Sequence, residues 1–244
     1  KIMLKFKDNF LKKKILIYGL GKSGLSVYKF LKNNNEIILY DDKKDINKKI
    51  KIKKKITPYK KIPKIKIDIV IISPGVDINK CRLKNFLRKN IEKIYTDLDI
   101  FYCNYNKNKD ITITGTNGKS TTAKILYETL RSQKKDARLV GNIGNPILSE
   151  KKITKKTIFV IEASSYQLEY SKFFKSNIAA ILNITPDHLE RHKTLKSYIS
   201  AKFRLLANQT KKDYAILNTN NLHIKKELNT KIFFSKIIKI KKKL

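Results

Sequence analysis

The stretch ITITGTNGKSTTAKILYETL, residues 111–130, sets four strand-forming residues, a glycine-bracketed turn and an amphipathic helix in direct succession. The longer phosphate-loop pattern G-x-x-x-x-G-K-[ST] is not met, because Ile113 stands where its first glycine would be. Every group with electrostatic work to do is nonetheless there. Gly115 and Gly118 turn the chain, so that the backbone N–H groups from Thr116 and Asn117 onward can cradle phosphate oxygens. Lys119 offers an ammonium to the β- and γ-phosphates, Ser120 offers a hydroxyl to Mg²⁺, and Thr121 follows in the first helical turn. The stretch reads as a compact ATP-binding P-loop between a strand and a helix, which places the chain in the α/β class.

Working outward, the same βαβ rhythm recurs on both sides of this loop. Upstream, KILIYG, LSVYKFLKNN, EIILYDD and IDIVIISPG alternate strand and helix patterns. Between Lys43 and Lys66 the sequence is lysine-rich and pattern-poor, with Pro58 and Pro63, and has room for a short strand at ITPY. CRLKNFLRKNIEKIYTDLDIF then reads as a helix, a short strand at EKIYT and the start of a second helix, with CNYNKNKD as a polar linker. Downstream of it, strands at ITIT, ARLVG, TIFVIEAS, IAAILNI and YAILN, with helices at STTAKILYETLRSQ and TLKSYISAKFRLLANQ, predict five strands in a mainly parallel sheet. The expected organisation is a Rossmann-like amino-terminal domain at residues 1–108 and a P-loop-containing central domain at residues 109–244.

Composition narrows the function classes. The 244 residues are 41% hydrophobic and carry a formal net charge of +36, which invites a nucleic-acid reading. The excess charge is spread evenly along both halves, in segments such as KKDINKKIKIKKKI where Lys sits among Ile and Asn. With eight Gly and no Trp, this is what a strongly AT-rich genome imposes, so no nucleic-acid partner is expected. Cys81 and Cys103 form no C-x-x-C pair and suit a reducing compartment. No apolar run reaches the roughly 18 residues of a membrane span. A cytoplasmic protein with no membrane partner, acting as a monomer, is the expectation.

Other constellations cluster at predicted strand ends. GLGKSG, residues 19–24, is a G-x-G-x-x-G between a strand and a helix, and Asp41 and Asp42 close the next strand. That pattern fits a dinucleotide, a different nucleotide-like ligand, or a purely structural turn. SPGV, residues 73–76, ends another strand and is expected to line the same cleft. Glu162 ends TIFVIE, where a buried carboxylate needs a facing cation such as Mg²⁺ or else a solvent-exposed position. In NITPDHLERH, residues 183–192, Asp187 and His188 open a turn at the same sheet edge. His192 and His223 read as ordinary histidines. From its pattern alone Lys202 has no role, being one lysine among many on a helix.

GTNGKSTT, VGNIGNPIL, VIEASSYQLE and ILNITPDHLERH, in this order and together with GLGKSG, resemble the Mur ligases from about Ile15 to about Asn221. These ATP-dependent amide ligases carry the compact G-[TS]-N-G-K-[ST] loop. The resemblance, above all SSYQLE, points to the branch that joins D-glutamate to UDP-N-acetylmuramoyl-L-alanine in peptidoglycan precursor synthesis. It implies that ATP activates a substrate carboxylate as an acyl phosphate, which an amine then displaces. It implies Lys119 and the loop backbone at the ATP phosphates, Ser120 and Glu162 at one Mg²⁺, and His188 at a second. It further implies a carbamylated Lys202 as an anionic Mg²⁺ ligand. Asn142 and Ser164 would touch the muramoyl part of the substrate. Lys22, Ser23, Asp41 and Gly75 would hold the uridine diphosphate, with Asp41 accepting from the uracil ring.

Members of that family add a third, carboxy-terminal domain that delivers the amine and closes over ATP, whereas the present sequence stops at Leu244. A truncated ligase, weak or inactive by itself, is therefore expected. The rival readings are a ligase of the same family adding another amino acid, a folylpolyglutamate-synthetase-like enzyme, an NAD dehydrogenase, and a non-catalytic nucleotide- or nucleic-acid-binding derivative of the scaffold.

Overall fold

The computed structural model of the chain describes residues 9–43, 46 and 56–241. Its central strands are short runs rich in β-branched and apolar residues, the composition that a parallel sheet covered on both faces requires. The first sheet contains β1 (Lys14–Tyr18), β2 (Glu36–Tyr40), β3 (Ile69–Ile72) and β4 (Ile94–Tyr95) in the order β2-β1-β3-β4, all parallel. Helix α1 (Lys22–Leu31) follows β1, α2 (Lys84–Lys89) precedes β4, and α3 (Asp97–Tyr105) leads out of the sheet.

The second sheet contains β5 (Lys109–Thr114), β6 (Ala137–Gly141), β7 (Ile158–Glu162), β8 (Ile178–Ile181), β9 (Tyr214–Asn218) and β10 (Lys236–Ile240). Its order is β10-β9-β8-β5-β7-β6, again entirely parallel. Its helices are α4 (Lys119–Ser132), α5 (Ser165–Glu169), α6 (Leu189–His192), α7 (Leu195–Phe203) and α8 (Leu222–Thr230). The α/β expectation of a Rossmann-like sheet followed by a P-loop sheet is borne out. In each sheet the strand before the glycine motif is flanked on both sides, β1 by β2 and β3, and β5 by β7 and β8. Those reversals of strand order are where open parallel sheets leave a crevice at their carboxyl ends.

Helix α3 ties the sheets together. One core cluster holds Ile15, Ile17, Ile37 and Leu39 of the first sheet with Phe159, Ile161, Ala179 and Ile181 of the second, bridged by Leu98, Ile100 and Phe101. Phe101 meets Phe159 edge-on at 4.8 Å between centroids. Asp99, fully buried, accepts from the backbone N–H of Thr96 in its own capping box and from those of Lys172, Phe173 and Phe174. Burying an aromatic of this size contributes about 1.5–3 kcal/mol, which sets the energetic scale of the junction.

Several local expectations need correction. CNYNKNKD is not a linker throughout, because α3 runs to Tyr105 and packs Cys103 at 1% exposure; only residues 106–108 connect to β5. No strand forms at ITPY. Pro58 holds the extended φ of −59° and the chain tightens into a 3₁₀ turn at Tyr59–Lys64. Much of the preceding lysine-rich stretch lies outside the described residues. The strand expected at EKIYT shrinks to Ile94–Tyr95 after a 3₁₀ turn at Ile91–Lys93. Among the described residues the sheet holds six strands rather than five, since Lys236–Ile240 pairs with β9 despite its lysines, as an edge strand tolerates. Helix α7 ends at Phe203 and tightens into a 3₁₀ turn at Arg204–Leu206.

Candidate active site

The turn after β5 is shaped by glycine at two points. Gly118 has φ +81° as the N-cap of α4, a conformation costly to any residue with a Cβ, and Gly115 has φ +157°. Asn183, at the end of neighbouring β8, holds the turn by its side chain. Its Oδ1 accepts from Thr116 N at 3.1 Å and Asn117 N at 2.8 Å, and its Nδ2 donates to Asn117 O at 3.0 Å. Lys119 Nζ lies across the loop, donating to Thr116 O at 2.7 Å. An ammonium placed over a turn at a helix N-terminus makes a site for polyanions.

Glu162 ends β7 beside this loop, with its partner in register Ile113 on β5. It is fully buried, so the exposed alternative for this carboxylate is set aside. Ser120 Oγ donates to its Oε2 and Asn142 Nδ2 to its Oε1, both at 2.8 Å. Asn142 is set by the sharp backbone at Gly141, φ +107°, where a Cβ would collide with Glu162 O. Ser120 and Glu162 thus form a hard-oxygen pair facing the loop. Among the described residues no group of three or more His, Cys, Asp or Glu side chains could hold a metal. One carboxylate and one hydroxyl suit Mg²⁺, which completes its shell with water and phosphate oxygens.

Lys202 is 1% exposed on α7. Its Nζ donates to Gly115 O at 2.7 Å and sits 4.5 Å from the centroid of the Tyr198 ring. Burial, and then the nearby charge of Lys119, push its pKa down to about 7, while Asp187 opposes them. At neutral pH about half of this amine is the free base, roughly a thousandfold more than for an ordinary lysine. His188 is the N-cap of α6, in the left-handed conformation with φ +54°, and is exposed beside Asp187 and Glu190. The Tyr198 ring brings the two together, with His188 6.3 Å from it between centroids. The Tyr198 hydroxyl lies 3.0 Å from Thr116 Oγ1, so one side chain touches the loop, Lys202 and His188.

His192 keeps its plain reading as a satisfied structural histidine. It is 4% exposed, with Nε2 at 3.0 Å from Ser165 Oγ and its ring stacked on Tyr166. Burial, then the neighbouring Arg191, push its pKa down to about 4, so it is neutral under ordinary conditions. His223 lies on α8 at the far edge of the sheet. Ser164 caps α5, accepting from Gln167 N while Gln167 Oε1 accepts from Ser164 N. Asn183, Tyr198, Ser165 and His192 are the residues here that the sequence did not single out.

The first sheet presents a cleft of about 500 Å³ at its strand ends, lined by Gly21, Lys22, Ser23, Asp41 and Gly75 among others. Gly24 has no room for a side chain, since a Cβ would strike Gly19 O. Asp41 accepts from Leu20 N through Oδ2 at 2.7 Å and from Lys43 N through Oδ1 at 2.9 Å. Asp42 takes the hydroxyls of Tyr18 at 2.6 Å and Tyr40 at 2.7 Å, a clamp with no sequence signature. Cys81 also lines the cleft, and burial raises its thiol pKa. Lys80 on the cleft wall reaches Glu190 O at 3.4 Å, so the cleft borders the loop that carries His188.

Residues 13–95 match the family model described as Mur ligase MurD-like, N-terminal domain, and residues 113–242 match Mur ligase middle domain. The UDP-N-acetylmuramoylalanine–D-glutamate ligase of Lachnoclostridium phytofermentans is 39% identical over 228 residues, covering 89% of this chain and 50% of the relative. The enzyme of the same name from Caldicellulosiruptor bescii is 41% identical over 221 residues, covering 86% and 48%. The chain spans about half the length of the curated relatives it matches. Among solved structures, UDP-N-acetylmuramate:L-alanyl-gamma-D-glutamyl-meso-diaminopimelate ligase from Neisseria meningitides superposes with a TM-score of 0.61. It is 14% identical and the match covers 93% of this chain and 78% of that one, a likeness of fold alone.

Proposed function

The chain belongs to the Mur ligase family, and on that premise we propose that it forms the nucleotide-binding part of a ligase joining D-glutamate to UDP-N-acetylmuramoyl-L-alanine, driven by ATP. The relatives' shared name favours D-glutamate over another amino acid, and over the folate-type and NAD-dependent readings. The observation that carries the reading is the convergence of Lys119, Ser120 and buried Glu162 at the ends of adjacent parallel strands. We place the division between the two domains at residues 108 and 109, where the chain enters β5. The compartment proposed is the cytoplasm; among the described residues no helix is long and apolar enough to cross a membrane.

In this reading Lys119 and the loop N–H groups hold the β- and γ-phosphates of ATP. Ser120 and Glu162 hold one Mg²⁺, and His188 with a carbamylated Lys202 a second. Mg²⁺, when bound, would supply positive charge to the phosphoryl oxygens. The free amine of Lys202 adds to CO₂, forming an N–C bond and releasing a proton, which turns a buried cation into an anionic oxygen donor. Asn142 and Ser164 face the muramoyl side, while Lys22, Ser23, Asp41 and Gly75 receive the uridine diphosphate. Asn142 and Asp41 each spend hydrogen bonds on the protein itself, so they meet substrate through their remaining donor or lone pairs.

Thermal unfolding tests the reading. UDP-N-acetylmuramoyl-L-alanine and MgATP should each raise the melting temperature, and NAD should not. A shift with NAD alone would replace this function with a dehydrogenase. Salt-sensitive retention on nucleic acid without any response to ATP would point to a binding protein instead.

A further inference from the structure

Ser23 lies on the first turn of α1 and lines the cleft of the first sheet. Its Oγ donates to Asp97 Oδ2 at 2.6 Å. Asp97 is the first residue of α3, 2% exposed, and its Oδ1 has no hydrogen-bond partner. Left ionised, it would be a buried charge with one oxygen unpaired and, among the described residues, no cation set against it. Burial raises its pKa. The Ser23 hydroxyl and the Leu98 N–H oppose that rise, and the charge of Asp99 on the same helix reinforces it. The N-termini of α1 and α3 favour the anion, but that effect is a fraction of the cost of an unpaired buried charge.

A diphosphate in the cleft sharpens the question of where the proton sits. Phosphate oxygens only accept hydrogen bonds, so Ser23 must turn its proton toward the ligand. Ser23 Oγ and Asp97 Oδ2 are then two acceptors face to face, unless Asp97 supplies a proton between them. We propose that Asp97 is a protonated carboxylic acid in the liganded cleft, a positioning residue that makes the Ser23 hydroxyl a donor to the diphosphate of a nucleoside-diphosphate ligand. This rests on reading the cleft as the nucleotide-sugar site. A charged Asp97 would both withhold the serine proton and repel the ligand.

The test is infrared difference spectroscopy of the full chain saturated with UDP-N-acetylmuramoyl-L-alanine, alongside Asp97→Asn and Asp97→Ala. The wild-type complex should show the C=O band of a protonated carboxyl that shifts on ligand addition and is missing from D97N. D97A, which cannot donate, should weaken binding about tenfold, and D97N, whose amide can, should recover most of the loss. Unchanged MgATP binding at the second sheet serves as the check that each variant is folded. A complex without the carboxyl band, or D97A binding as tightly as wild type, overturns the proposal while the nucleotide-sugar reading stands. Failure of the wild-type chain to bind the ligand at all overturns both.

Discussion

Glu162→Ala should leave the chain folded but nearly blind to Mg²⁺ in nucleotide binding. The carboxylate is wholly buried and takes one hydrogen bond on each oxygen, from Ser120 and Asn142. Truncation strands both donors, a loss of about 1–3 kcal/mol in stability. At this size a melting temperature moves by roughly 2–4 °C per kcal/mol. The functional loss should be larger, because the buried carboxylate paired with Ser120 of the loop disappears. Phosphate release in the proposed ligation should fall about a hundred- to a thousandfold. Glu162→Gln separates the two effects, since an amide keeps one acceptor and the packing while removing the charge. E162Q should regain most of the stability and little of the Mg²⁺ response, read by calorimetric titration of ATP with and without the metal. Equal Mg²⁺ dependence in wild type and E162Q would remove Glu162 from the metal site.

Lys202→Ala is expected to have the second large effect. The Nζ hydrogen bond to Gly115 O ties α7 to the phosphate loop, and a carbamate there would supply anionic oxygens near His188. If the carbamate serves as a metal ligand, turnover should fall by at least the roughly ten- to hundredfold that losing a group supporting a metal's ligands costs. The pH dependence has a definite sign. Only the free amine adds to CO₂, and with a folded pKa near 7 its fraction rises from about a tenth at pH 6 to nine-tenths at pH 8. A ¹³C carbamate resonance should therefore grow as pH rises through 7 under labelled CO₂, and be missing in K202A. Stability follows the same sign: the unfolded chain binds the Lys202 proton up to the ordinary lysine pKa and the folded chain gives it up near 7. The unfavourable burial of the ammonium is thus relieved as pH rises through that window. A ¹³C spectrum with no Lys202-dependent resonance at any pH would leave the amine as a structural tie only.

What could be read from the sequence was what depends on local order. The apolar runs gave strands, and the turn chemistry of GLGKSG and GTNGKST gave the two strand–helix corners, because both signals lie within a few residues. Glu162 was visible because a carboxylate closing an apolar run has few inexpensive explanations. Lys202 was hidden by composition. Its only signal was a place four residues after Tyr198 on a helix whose inner face is Tyr198, Ile199, Ala201 and Lys202, and that faded among 56 Lys and Arg. Asn183 and Asp97 act across 66 and 74 residues of chain, distances at which no spacing rule applies. The misread linker has a similar cause: Cys103 belongs to a helix whose burial is decided by Phe159 in the other sheet.

The central claim is that the turn after β5 binds the phosphates of ATP through Lys119. Titration of MgATP into the wild-type chain and into Lys119→Ala, with melting curves to verify equal folding, tests it most directly. Binding should be saturable in the wild type and about a hundredfold weaker once the ammonium is removed. Equal affinity in the two proteins would contradict it.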